Sequence, residues 1–284
     1  MVLALATFFT LAVAGGFFWE GVEPEAQSLR DLPEILWSFF VGGLRYAIWV
    51  FLILGFHEMG HYWACRFYRI PVTLPFFLPG IPPFGSFGAV IRIRGPIPHR
   101  RALFDIAAAG PIAGFLVALP VLVVGLLQAE PFVPEPGENA NGTFSLGEPV
   151  ALVMLARLLS LAADLEVNSL IGAGWVGLLV TSLNLFPVGQ LDGGHAAYAF
   201  SRRLHRALAR ATLVLLLGVV LIQIVIYSQF PPYLIWFAVL LWMRDRHPTL
   251  LDESTPLGPG RKIVALCLAL IFVLSFTLMP IYVS

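Results

Sequence analysis

His57-Glu58-Met59-Gly60-His61 is an H-E-x-x-H motif, and its spacing carries a definite chemistry. Positions i and i+4 of a helix share a face, so both imidazoles reach one Zn²⁺. The intervening Glu58 can then take a proton from water activated by the metal. The motif closes an apolar run, Tyr46 to Phe56. An Asp-type group near the centre of a membrane helix costs about 2.5–3.5 kcal/mol, so such a cluster needs compensation. The competing reading is a polar cap in the headgroup layer. A catalytic zinc has three protein ligands and one open position, so a third donor has to come from elsewhere in the chain. Asn184-Leu185-Phe186-Pro187-Val188-Gly189-Gln190-Leu191-Asp192-Gly193-Gly194-His195 supplies two candidates, Asp192 and His195. An apolar run ends there at Pro187, the chain is expected to unwind through Gly189, and Asp192 precedes a glycine pair. Asp192 has a rival use as N-cap of a helix beginning near Gly193.

The elements that must position these groups are membrane helices. Of the 284 residues 58% are hydrophobic and 12% charged, against roughly a quarter charged in soluble domains. The bilayer must therefore be the solvent for most of this surface, which predicts an all-α polytopic membrane protein. Apolar runs at 1–19, 35–57, 106–128, 168–186, 207–230 and 263–282, with a shorter one at 231–243, predict six or seven transmembrane helices. Residues 1–19 read as a retained helix, because no positive stretch precedes them. The run at 150–163 reads as an amphipathic or re-entrant segment. Three regions follow: 1–34, an N-terminal helix and acidic loop; 35–245, the catalytic membrane core; and 246–284, a loop and last helix. A net charge of zero gives no support for nucleic-acid binding. Cys65 and Cys267 form no metal or disulfide spacing.

Charge sorts the loops. Those at 20–34 and 129–149 are acidic, with Glu20, Glu23, Glu25, Asp31 and Glu34, then Glu130, Glu135, Glu138 and Glu148. The others are basic: Arg66, Arg69, Arg92, Arg94, Arg100 and Arg101; Arg202, Arg203, Arg206 and Arg210; Arg244, Arg246, Arg261 and Lys262. The two sets alternate as seven spans require, which assigns the basic loops and the N-terminus to the cytoplasm. Both motif-bearing runs end at basic loops, so the chemistry is expected near that side.

HEMGH together with N-x-x-P-x-x-x-L-D-G on a second span resembles the site-2 protease family of intramembrane zinc metalloproteases. Gly85 to Arg94 and Arg101 to Gly114 are similar to its branch of chloroplast site-2-like proteases and bacterial relatives. The resemblance implies cleavage of single-span membrane substrates within or near the bilayer. It assigns one Zn²⁺ per chain to His57, His61 and Asp192, catalysis to Glu58, and contact with the substrate or the developing oxyanion to Asn184. The location expected is a bacterial inner (plasma) membrane, with the active site toward the cytoplasm. A zinc-dependent membrane hydrolase of lipid or prenylated substrates would use H-E-x-x-H equally well but leaves the second motif unexplained. A non-catalytic binding protein or transporter would have no need of Glu58.

A short β-hairpin or re-entrant segment is expected near 71–97. Alternation over 86–94 predicts a strand whose edge could pair with an extended substrate, and the proline-rich stretch Leu74 to Phe84 could line a re-entrant loop. Gly110-Pro111 with Gly114 reads as a close-packing, kinked helix start. Asp105 is expected to cap that helix or to pair with Arg100 or Arg101. His99, His205 and His247 are expected in solvent or headgroups.

Overall fold

The computed structural model describes residues 2–22, 31–132, 144–161, 165–227, 231–244 and 250–283. Glu23, Glu25, Arg30, Glu135, Glu138, Asp164, Arg246 and His247 lie outside the described residues.

The apolar runs fold as helices, and the boundaries fall where proline, glycine or a cap interrupts them. α1 is Val2–Phe18; α2, Leu32–Gly42; α3, Leu44–Phe67. A short hairpin follows, β1 Phe76–Pro79 and β2 Ser86–Val90, then β3 Ile97–His99 and α4 Arg100–Leu127. β4 (Phe144–Leu146), α5 (Val150–Leu158), α6 (Ser169–Asn184), α7 (Asp192–Phe200) and α8 (Arg202–Val225) come next. α9 (Tyr233–Met243), β5 (Leu250–Asp252), α10 (Gly258–Ser275) and β6 (Ile281–Val283) complete the order. Among the described residues, α4, α8 and α10 are long and apolar enough to cross a membrane. The pair α2 and α3, bent by 59° at Gly43, makes a fourth candidate if counted as one span. α1, α6 and α9 are apolar but shorter. The protein is thus a mostly helical membrane protein with a few short strands.

Several expectations are corrected by this architecture. The run read as a single span at 35–57 is a bent pair, and α3 continues past the motif to Phe67. No breaker occurs until Arg69, which takes a left-handed φ of 56° ahead of Pro71. His57 and His61 therefore sit inside a helix and not at its end. α4 starts at Arg100, where the His99 ring nitrogen accepts the Ala102 N–H at 3.1 Å. Gly110-Pro111 is consequently within the helix, not its start. Asp105 neither caps α4 nor pairs with its neighbours; it is bound by Arg261 of α10. His205 is buried, 4% exposed, against the Tyr198 ring, and His99 serves as a cap. The strand expected over 86–94 stops at Val90, and its partner β1 takes up part of the proline-rich stretch. An isolated bridge between Val72 and Ile93 continues the pairing.

α3, α4 and α6 form the centre, with α1 packed along α3 and β1. α6 is enclosed almost wholly by protein, since all its residues from Ser169 to Leu179 are buried. Its glycines admit close neighbours, with Gly172 against Trp19 and Gly177 against Ile53 and Ala118, as expected where packing without a hydrophobic drive must hold helices together. The cap of α6 is equally specific. Asn168 Oδ1 accepts the Leu170 and Ile171 N–H groups at 3.0 Å, while its Nδ2 donates to the Gly125 carbonyl of α4 at 2.9 Å. Asn168→Ala is expected to lower stability by about 1–2 kcal/mol, measured as a shifted unfolding midpoint in mixed detergent micelles.

Candidate metal centre

α3 presents His57, Glu58 and His61 inward, with exposures of 3%, 6% and 7%. α6 ends at Asn184, and the chain leaves the helix through Leu185–Leu191, with Gly189 at a φ of +56°. It then re-enters helix at Asp192. The glycine pair after Asp192 makes this sharp return possible. A Cβ on Gly193 would lie 2.0 Å from the Leu185 carbonyl oxygen, and one on Gly194 would lie 2.5 Å from that of Gly189. The N-cap of α7 is Leu191 and makes no side-chain cap. The Asp192 carboxylate is therefore not spent on the backbone. It points instead across to α3.

There, Asp192 Oδ2 lies 3.2 Å from His57 Nε2 and 3.3 Å from His61 Nε2. Asn184 Nδ2 lies 3.4 Å from His57 Nε2. The donor atoms of His57, Glu58 and His61 all fall within 4.8 Å of one another. Every site residue anticipated from the two motifs thus meets in one place, although α3 and α7 are far apart in sequence. His195 follows one turn into α7, close enough to feel the charges of Asp192 and His61, but it is the Asp192 oxygen that both imidazoles contact.

The donor set fits zinc. Tetrahedral zinc with donors at about 2.0–2.1 Å separates neighbouring donor atoms by about 3.3–3.4 Å, the spacing at which Asp192 meets both histidines. The tautomer fits too. His61 Nδ1 lies 2.7 Å from the Ile106 carbonyl oxygen; that oxygen only accepts, so Nδ1 carries the proton and Nε2 keeps its lone pair for a metal. The α4 wall is also shaped to the imidazoles. A Cβ on Gly110 would fall 2.1 Å from His61 Nε2, and one on Gly114 would fall 3.0 Å from His57 Nδ1. Gly110 and Gly114 repeat the i, i+4 spacing of the histidines, so two helices meet through matched gaps.

The hairpin reaches the same centre. Ile91, one residue beyond β2, lies beside the Glu58 carboxylate, and Phe77 of β1 stacks on Phe51 of α3 at 4.0 Å. Its loop is pinned from outside. Thr10 Oγ1 donates to the Gly85 carbonyl at 2.7 Å, Tyr46 to Phe84 at 3.0 Å and Trp19 Nε1 to Pro83 at 3.2 Å. Sequence reasoning did not single out Thr10, Trp19 or Tyr46. The one available signal was a set of polar atoms inside apolar runs.

Imidazoles and carboxylates thus meet at the core of a membrane helix bundle as a donor set that fits zinc. Residues 45–226 match peptidase family M50, and the chain belongs to that family, the site-2 proteases. It is 34% identical over 269 residues to the Arabidopsis thaliana protein named probable zinc metalloprotease EGY1, chloroplastic, covering 92% of this chain and 47% of that protein. The Arabidopsis thaliana protein named probable zinc metalloprotease EGY2, chloroplastic, is 30% identical over 84% of this chain and 42% of its own length. A probable zinc metalloprotease EGY3 of Oryza sativa subsp. indica, also named chloroplastic, is 29% identical over 97% of this chain. The chain spans about half the length of the curated relatives it matches. Their names are chloroplastic, and so lend no support to the bacterial plasma membrane expected from sequence.

Gly110→Ala is expected to push the His61 ring aside and weaken zinc retention by at least about tenfold. Gly114→Ala, with the roomier contact, should act more weakly. Zinc content after dialysis against graded chelator concentrations measures both.

Proposed function

We propose that the protein is an intramembrane zinc endopeptidase that hydrolyses peptide bonds of single-span membrane substrates within or near the bilayer. The observation that carries this reading is the meeting of Asp192 Oδ2 with both histidine Nε2 atoms at 3.2 and 3.3 Å, beside a carboxylate that no cap or ion pair claims. His57, His61 and Asp192 hold one zinc. When bound, zinc lowers the pKa of water toward about 7 and polarises a peptide carbonyl. The Glu58 carboxylate takes the proton from the attacking water and returns it to the leaving amine nitrogen as the C–N bond breaks. Asn184 Nδ2 lies 3.4 Å from His57 Nε2, so with zinc held by that nitrogen the amide would be free for another acceptor. That amide then donates to the substrate backbone or to the oxygen that gains charge during attack.

A transmembrane helix hides its peptide bonds, so the substrate must be locally extended. Among the described residues β2 pairs only with β1, and its other edge is available for strand addition. Ile91 lies beside Glu58, which brings that edge next to the base. In this reading α1, α6 and α9 are further crossings beside α2–α3, α4, α8 and α10, giving seven spans. The active site then lies toward the face carrying Arg66, Arg100, Arg202 and Arg261, which the positive-inside rule makes the cytoplasmic-equivalent side.

Purified protein in bilayers, incubated with a panel of single-span substrates, tests the proposal. Glu58→Gln is expected to keep stoichiometric zinc yet lose cleavage by at least about 10²-fold, while His57→Ala loses zinc. Cleavage by Glu58→Gln at the wild-type rate would sink the mechanism. Asn184→Ala should retain zinc and lose about 10²-fold in kcat; a change confined to zinc content would remove Asn184 from the substrate site.

A further inference from the structure

Two ion-pair clusters outside the metal centre share a feature. Each ties the segment 250–262 to an element that carries a metal donor. Arg261, in the first turns of α10, grips Asp105 of α4 with a fork, Nε to Oδ1 at 2.8 Å and Nη2 to Oδ2 at 2.6 Å. The same guanidinium donates to the Tyr68 hydroxyl at 3.3 Å, and Tyr68 donates to Asp105 at 2.5 Å. Tyr68 is the C-cap of α3, so the ends of α3, α4 and α10 meet at one carboxylate. Asp105 immediately precedes Ile106, whose carbonyl oxygen orients His61 at 2.7 Å.

Glu253 forms the second cluster. It accepts from Arg202 Nη2 at 2.5 Å and from the Tyr198 hydroxyl at 3.0 Å, with Arg100 Nη2 at 3.8 Å. Tyr198 belongs to α7, the helix that starts with Asp192. Arg202, foremost, holds the Glu253 carboxyl below its ordinary pKa. The stretch between the clusters is sewn to α4 as well. β5 runs parallel to β3, with Leu250 opposite Ile97 and Asp252 opposite His99, and Arg101 Nε donates to the Pro256 carbonyl at 2.8 Å. The segment 250–262 itself lies beyond the residues matched to the family.

We infer that residues 250–262 form a positioning strap for the metal centre. Arg261 holds the Ile106 carbonyl and through it His61; Glu253 holds the far end of α7 and through it Asp192. Partly exposed ion pairs contribute little to global stability, so two such clusters here are better accounted for by geometry. Zinc donors tolerate displacements of only about 0.2 Å, and partners that orient ligands matter at about 10–100-fold in metal affinity. Arginine suits the task because its planar fork fixes direction as well as distance. This inference rests on His57, His61 and Asp192 being the metal donors.

The test is zinc affinity of the full chain in nanodiscs, measured by competition with a chromogenic chelator, with thermal unfolding followed in parallel. Arg261→Ala and Glu253→Ala are each expected to weaken zinc binding about tenfold while leaving the unfolding midpoint of the metal-free protein near wild type. Arg261→Lys should recover part of the loss, and the exchanged pair Arg261→Asp with Asp105→Arg most of it. Wild-type affinity in both alanine variants would overturn the strap. So would affinity lost only in step with a lowered unfolding midpoint, since that marks general destabilisation. A wild-type protein that takes up no zinc would remove the metal reading itself and the strap with it.

Discussion

Buried His57, Glu58 and His61, gathered with the half-buried Asp192 in apolar surroundings, are the constraint to which the other elements answer. Each alone would be expensive at this depth. Together, and with a divalent cation, their demands offset. Asp192 Oδ2 sits between the two Nε2 atoms at 3.2 and 3.3 Å, and that bridge demands that α3 and α7 meet within hydrogen-bonding distance. The sharp break at Leu185–Leu191, the glycine pair after Asp192 and the absence of a side-chain cap on α7 all follow from this demand. A helix continuing through Pro187 could not turn its next carboxylate back toward α3.

α4 enforces the arrangement without supplying a donor. Its contribution is space and one carbonyl. Gly110 and Gly114 leave gaps that the rings of His61 and His57 fill, and Gly60 of α3 packs against the Ala109 carbonyl. The helices approach more closely than side chains would allow, and the Ile106 oxygen is brought to His61 at 2.7 Å. Small residues at helix contacts are common in membrane bundles. Here the same feature also selects a tautomer, so packing and chemistry are set by one contact.

The hairpin and the basic face extend the centre in opposite directions. α1 and α3 hold the hairpin loop through Thr10, Trp19 and Tyr46, which keeps Ile91 against Glu58 and an open strand edge beside it. At the other end, Asp105 and Glu253 gather helix termini through arginines. In the proposed reading the first device faces an extended substrate and the second steadies the donors.

The sequence by itself determined the membrane setting, the helical class, the identity of the two motifs and the family. These depend on composition and short spacing, which survive without knowledge of distant contacts. The i, i+4 geometry of His57 and His61 is local, and so was legible. By spacing alone Asp192 was one of two candidates, because a carboxylate and an imidazole three residues apart satisfy the same argument; the resemblance to the site-2 proteases favoured it over His195. Tertiary structure brings the Asp192 oxygen to both histidines through the return of α7 toward α3, which local spacing does not reveal. It also decided what local reasoning assigned wrongly. Asp105 was read against its sequence neighbours Arg100 and Arg101, whereas its partner, Arg261, arrives on another helix. Gly110 and Gly114 were read as generic packing, yet they shape the metal site. Short-range patterns report hydrophobicity and period; they carry no record of which distant surface a side chain will face. That is fixed by helix crossings, and here the crossings are set by the buried charges they enclose.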